Sequence, residues 1–238
     1  GYKYTQCSNQ YVDWKCPNCG EIIKNKMINH VYSNGLCCLN CSDGISYPEK
    51  FMYNFLHQLN VEFKYQYSPR WCKYEFEGKQ KTGRYDFYIP SINCIIETHG
   101  LQHYQERETS SVFRDTLQKV QENDSFKKQL AIDNGIKENN YIVVDCRHSD
   151  LEWIKNSILS SKLTMLFDLS KIKWKECGIF ACDSIIKTIC NYSKDNSSIC
   201  IEDIATKYQL SISAIRKYLR RGTVLGWCNY NKYIKHNK

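Results

Sequence analysis

Two cysteine pairs, Cys16-Pro17-Asn18-Cys19 and Cys38-Leu39-Asn40-Cys41, stand 18 residues apart near the start of the chain. Each C-x2-C turn presents two thiolates on one tight knuckle, and two such knuckles close a tetrahedron around one Zn2+. Residues 1–45 are otherwise rich in Cys, Asn and Gly and poor in aliphatic side chains, so this segment needs a crosslink or a metal to hold a fold. The expectation is a zinc ribbon or treble-clef module with structural Zn2+ on Cys16, Cys19, Cys38 and Cys41. Cys37 competes with Cys38, because a one-residue shift leaves a C-x3-C turn, and Cys7 and His30 are spare ligands. The cysteines from Cys72 to Cys228 are scattered and read as small buried apolar residues. No export signal precedes the cluster and no apolar stretch of membrane length follows it. A reducing cytoplasm and no membrane partner are therefore expected.

From Ser46 the pattern changes. Pro48, Glu49, Phe51, Met52, Phe55, Leu56 and Leu59 recur at helical spacing, with Ser46 as cap. Strands are expected at Val61 to Tyr67, Tyr85 to Ile89, Cys94 to Glu97 and Tyr141 to Val144, punctuated by Gly78, Gly83 and Pro90. A long polar helix is expected over Ser111 to Asn134, and shorter ones over Leu151 to Ser160 and residues 176–190. Helices and strands alternating in this way make a compact α/β core whose strand ends can converge on one site.

The chain has 33 basic and 25 acidic residues, a net charge of +8. Between Ile201 and Lys238, eight Lys or Arg face only Glu202 and Asp203, so +6 of that excess lies in the tail. The apolar rhythm Ile201, Ile204, Ala205, then Leu210, Ile212, Ile215, Leu219 gives two short helices with a turn near Gln209 to Ser211, the form of a helix-turn-helix. The exposed side of the second helix carries Ser213, Arg216, Lys217, Arg220 and Arg221, a set suited to base edges and phosphates. A plain helical pair packed on the core fits the same pattern.

Between these modules, Asp86 in Tyr85-Asp86-Phe87-Tyr88-Ile89 precedes Cys94-Ile95-Ile96-Glu97-Thr98-His99-Gly100, then Leu101-Gln102-His103-Tyr104. Phosphodiester hydrolysis needs a carboxylate-held cation to polarise the phosphate and a base to activate water. Asp86 and Glu97 are placed to hold Mg2+, and His99, two residues beyond Glu97 on the same strand face, can act on the water. Taken singly, each of these residues is also an ordinary cap or a satisfied histidine.

The run from Asp86 to His103 resembles the active-site region of the very-short-patch repair (Vsr) endonucleases. In that family an Asp after one strand is followed by a strand ending in His-Gly and then by a further His. The resemblance covers residues 46–160 and implies a variant of the restriction-endonuclease core, with Mg2+ on Asp86, His99 as general base and His103 near the scissile phosphate. Glu97-Thr98-His99 then stands as that core's acid-x-lysine motif with His in place of Lys. The repair enzymes carry Cys-Phe-Trp where this chain has Leu101-Gln102. Glu97 is an added acid, closer to phage-borne homing endonucleases that share the core and use a Glu, an Asp and a His. Their early helical glutamate corresponds to Glu49, which is equally a first-turn acid favoured by the helix dipole. The tail from the helix-turn-helix through Gly222 to Tyr230 also resembles those attached to such mobile-element nucleases. Arg84, Gln102 and Arg147 are further candidates at the DNA, although Arg147 and Asp145 also fit an ordinary salt bridge.

The expected protein has three parts: a zinc module over 1–45, a Vsr-like core over 46–165, and a helical linker with a helix-turn-helix over 166–238. Its expected activity is Mg2+-dependent, site-specific cleavage of double-stranded DNA, of the homing type found in phages and mobile elements. It would act as a monomer or a homodimer in the cytoplasm of a bacterial or phage-infected cell. The alternatives are a restriction or mismatch-nicking repair endonuclease, and a DNA-binding regulator with an inactive core.

Overall fold

The computed structural model describes residues 4–34, 36, 38–106, 116–196 and 198–230. It is a mixed α/β protein of two compact units, one formed by Gly1–Ser46 with Ile179–Lys238 and the other by Tyr47–Gly178. Both ends of the chain thus build a single unit. No helix among the described residues is long and apolar enough to cross a membrane.

In the first unit β1 (Tyr11–Lys15) pairs antiparallel with β2 (Ile22–Met27), and α1 (Ile28–Asn34) follows. The first cysteine knuckle is the turn between these strands. Cys16 N–H donates to the Glu21 carbonyl at 2.8 Å, and Gly20 takes the left-handed conformation at φ +77° that closes the turn. Neither strand has an apolar face worth burying, so sequence periodicity does not announce them.

The second unit opens with α2 (Tyr47–Gln58), which has Pro48 at its second position and buries Phe51, Met52, Phe55 and Leu56. Next come β3 (Lys64–Tyr67), the hairpin β4 (Lys73–Phe76) and β5 (Lys79–Thr82), then β6 (Tyr85–Ile89) and β7 (Cys94–His99). The hairpin turns at Glu77-Gly78, both at positive φ as a tight two-residue loop requires. Helix α3 (Leu117–Asp133) carries the chain to β8 (Tyr141–Asp145), followed by α4 (Leu151–Leu159) and α5 (Leu163–Leu166), and α6 (Trp174–Cys182) spans the boundary between the units at Gly178. The main sheet has the order β3-β6-β7-β8, with β6 antiparallel and β8 parallel to β7. A parallel neighbour needs a crossover, which is the service α3 performs. Cys94, Ile95, Ile96 and Glu97 are all buried, as befits a central strand.

Some boundaries differ from expectation, β7 running on to His99 and β8 to Asp145. The strand expected from Val61 begins at Lys64, and the helix expected from Ser111 begins at Leu117, capped by Thr116, with residues 107–115 outside the described residues. The single helix expected over 176–190 is two helices, α6 and α7 (Ile185–Asp195), because Ser184 is extended between them at φ −92°, ψ 116°.

The tail returns to the first unit as α7, α8 (Ile201–Lys207) and α9 (Ile212–Val224). Ser211 caps α9 by accepting from Ala214 N–H at 3.2 Å. Ile189 and Cys190 of α7, Ile204 of α8, and Ile215 and Leu219 of α9 are buried, and α9 packs against both α7 and α8. Gly222 lets α9 approach α7: a Cβ there would lie 2.0 Å from Cys190 Sγ.

Candidate active site and metal centres

The four cysteine sulfurs of the two knuckles lie within 4.8 Å of one another, with Cys16 to Cys41 and Cys19 to Cys38 each at 3.5 Å. A tetrahedral ion about 2.3 Å from each sulfur sets sulfur separations of roughly 3.8 Å, so this group can hold a structural metal such as zinc. Burial opposes ionisation of Cys16, yet the backbone amides of Asn18 and Cys19 and the Cys41 thiol bring it down to about 7. Burial and the neighbouring thiols push Cys41 up. Cys7 and His30 are exposed and lie outside the cluster, and Cys37 lies outside the described residues.

In the second unit, β6 and β7 bring Asp86, Thr98 and Glu97 together. Asp86 Oδ2 accepts from Thr98 N–H at 2.7 Å and from Thr98 Oγ1 at 2.6 Å. Burial, then the charges of Glu97 and Glu49, hold the Asp86 carboxyl up at about 7, although the Thr98 bonds favour its anion. Its surroundings therefore favour a proton or a cation on it.

Glu49, in the first turn of α2, is held from β3: its Oε1 accepts from Gln66 Nε2 at 2.5 Å and from Tyr65 Oη at 3.2 Å. Tyr65 pairs with Phe87 and Tyr67 with Tyr85, so Gln66 stands level with Asp86, and there the backbone turns left-handed at φ +54°. A non-glycine residue in that region marks local strain.

Glu97 does more than the open ligand expected of it. It is only 3% exposed. Its Oε2 accepts from Asp86 N–H at 3.0 Å, and its Oε1 takes the Lys127 ammonium of α3 together with Tyr141 Oη at 3.3 Å. Although burial opposes its charge, Lys127 is held above the usual lysine range by Glu97, Asp86 and Asp124. Glu97 thus enters the site as the counter-ion of a buried lysine, with both oxygens engaged.

His99, on the same side of β7, stacks on His103 with ring centres 4.0 Å apart and 13° between planes. Burial and then His103 lower His99 to about 4, so it is neutral near neutral pH. His103 Nδ1 lies 2.5 Å from Asp124 Oδ2 of α3. A carboxylate accepts, so Nδ1 carries the proton and Nε2 is the nitrogen left for chemistry. His99, His103 and Asp124 also form a three-donor group that could hold a metal ion.

Around this cluster Arg84 and Gln102 are exposed. Arg147 forms the salt bridge with Asp145, its Nε 2.9 Å from Oδ2 and its Nη2 2.8 Å from the same oxygen, while its guanidinium lies 4.2 Å over the Tyr104 ring. Asp145 pairs with His99 across the β7 and β8 ladder, so Arg147 stands beside the same sheet end. In the other unit, Ser213, Arg216, Lys217, Arg220 and Arg221 are all exposed on α9. The sequence reading missed Thr98, Asp124 and Lys127. Asp124 and Lys127 sit three apart, hence on one face of α3, which is the one signal that could have singled them out.

Comparison with protein-family models finds no match to this chain, and comparisons with curated proteins and with solved structures find no significant one.

Proposed function

We propose that the chain is a metal-dependent DNA endonuclease whose second unit is a Vsr-like variant of the restriction-endonuclease core. One observation carries the reading: a carboxylate with raised proton affinity, Asp86, shares a sheet end with a neutral half-buried imidazole, His99, and a carboxylate-anchored one, His103. The mixed sheet supports it, with the acid at the start of β6 and the imidazole at the end of β7.

Oxygen donors suit Mg2+, and Asp86, with the Glu49 carboxylate adding negative charge beside it, would offer a ligand of that chemistry. A divalent cation held there would supply Lewis acidity to the scissile phosphate. Asp86, oriented by both Thr98 bonds, offers its carboxylate to that cation. His99 takes the proton of the attacking water as the phosphorus–oxygen bond to the leaving group breaks. His103, braced by Asp124 through Nδ1, would pass a proton from Nε2 to the departing oxygen when both of its ring nitrogens carry protons. Lys127 neutralises Glu97, which limits the negative charge a phosphate meets on entry.

The exposed cations of α9, Arg216, Lys217 and Arg220, favour a long double-stranded target and hence a homing-type or restriction nuclease over one that acts at a single lesion. The test is incubation of supercoiled phage or plasmid DNA with the protein in Mg2+ or in chelator, beside Asp86→Asn and Asp124→Asn. Nicks or defined fragments in Mg2+ alone are expected, abolished by the first substitution and slowed by the second. Tight binding with no cleavage on any DNA would instead place the chain among DNA-binding regulators.

A further inference from the structure

The zinc knuckles and the helical tail meet through a repeated contact. In both knuckles an asparagine precedes the second cysteine, Asn18 in one and Asn40 in the other. The main-chain carbonyl of Asn18 accepts from the indole N–H of Trp227 at 3.1 Å, and that of Asn40 accepts from Arg221 Nη2 at 2.5 Å. Lys187 of α7 donates to Asn18 Oδ1 at 2.7 Å, and Asp43, just past the second knuckle, accepts from Ile185 N–H at 2.9 Å. Trp227 is itself buried and returns its backbone N–H to Gly222 of α9 at 2.8 Å. The start of α7, the last turns of α9 and the segment after it are therefore all tied to groups whose positions the cysteine ligands set.

The outer face of α9 has the composition of a DNA reader. Ser213, Arg216, Lys217 and Arg220 are exposed, and no acid occurs between Ile212 and Val224. Arg221 stands apart from them because its guanidinium is engaged by the knuckle. It acts here as a clamp and not as a base reader.

We propose that the Cys16, Cys19, Cys38 and Cys41 module is the metal-loaded base of a double-stranded DNA reader, fixing α9 through Asn18 and Asn40 so that Arg216, Lys217 and Arg220 face the duplex. This deepens the nuclease reading, resting on it only for DNA as the ligand. A metal that organises two short knuckles contributes folding free energy to whatever is tied to them. A recognition helix of 13 residues with a close-packed glycine contact has little independent stability. Zinc occupancy and DNA affinity are accordingly linked.

The experiment measures affinity of the full chain for a fluorescent mixed-sequence duplex by anisotropy, without Mg2+, so that binding is read apart from cleavage. Hydrogen exchange over 212–224 and over β6 and β7 is followed in parallel. Removing zinc with a selective chelator is expected to weaken binding by about tenfold or more and to lower protection of α9 while β6 and β7 keep theirs. Trp227→Phe and Arg221→Gln, which remove one donor each, are expected to weaken binding severalfold with the zinc content unchanged. Arg220→Ala is expected to weaken binding without altering protection of α9. Affinity and α9 protection that ignore zinc and both clamp substitutions overturn the proposal, as does a protein that binds no duplex. A chain that binds in this zinc-linked way yet never cuts would overturn the nuclease reading and leave this one standing.

Discussion

At Asp86 the fold works against its own stability. The carboxyl is held at about 7 by burial and by Glu97 and Glu49, against about 4 in an unfolded chain. The folded state therefore binds this proton more tightly. Its contribution favours folding below about pH 4 and is lost as pH rises towards 7. In metal-free buffer at about pH 8, Asp86→Asn should raise the unfolding free energy by about 1 to 2 kcal/mol, and the gain should vanish near pH 4. Urea titrations at the two pH values measure it, and a destabilised variant at pH 8 would refute the electrostatic picture. His99 has the opposite sign: lowered to about 4, its neutral ring favours folding above about pH 6.5, and that contribution fades as pH falls towards 4. Near neutrality His99 is already a base, so the acid limb of the proposed cleavage is assigned to Asp86. Single-turnover rates should rise towards pH 7, and more Mg2+ should move that limb to lower pH, since cation and proton compete for one carboxylate. A limb insensitive to Mg2+ would assign it to another group. The sequence makes Asp86, Glu97 and His99 legible through their place beside an apolar run. It hides Asp124 and Lys127 because α3 has a single fully buried residue, Ala131, and reads as a solvated helix.

Helix α3 is fastened to β7 by the Lys127 and Glu97 pair, whose side chains are 13% and 5% exposed. Removing one partner strands a buried charge, at a typical cost of about 3 to 5 kcal/mol, whereas replacing both by neutral groups of similar shape costs far less. Lys127→Met alone should thus lower stability more than Lys127→Met combined with Glu97→Gln, in a thermodynamic cycle of chemical denaturation. Equal losses would mean that the pair does not hold α3. Packing sets the other critical contact. Gly222→Ala drives a methyl group into Cys190 Sγ, so α9 must shift from α7, and a loss of about 1 to 3 kcal/mol in the stability of this unit is expected. A variant as stable as the parent would show that the helices have room to part. Strands β6, β7 and β8 are legible because each carries an apolar run between turn signals. The β1–β2 pair and the β4–β5 hairpin are not, since their residues are mostly polar and their register comes from turns at Cys16–Gly20 and Glu77-Gly78. The split between α6 and α7 escapes a periodicity argument because apolar residues continue on both sides of Ser184.

Across the whole molecule, the zinc module and the tail are readable as motifs, but their union is not. The bonds that join them span 181 and 209 positions, from Asn40 to Arg221 and from Asn18 to Trp227, and no local pattern encodes pairing at that distance. With the chain divided into two units, zinc removal should lower the melting temperature of one transition and spare the other, so calorimetry of the chelated protein should resolve two events. One unshifted cooperative transition would contradict a metal-dependent unit. The proposed hydrolysis of DNA at Asp86 and His99 is read most directly from the single-turnover rate of supercoiled DNA loss in Mg2+. A fall of about 100-fold or more is expected for both Asp86→Asn and His99→Ala, with affinity for a mixed-sequence duplex unchanged. Cleavage that persists at the parent rate in either variant would contradict it.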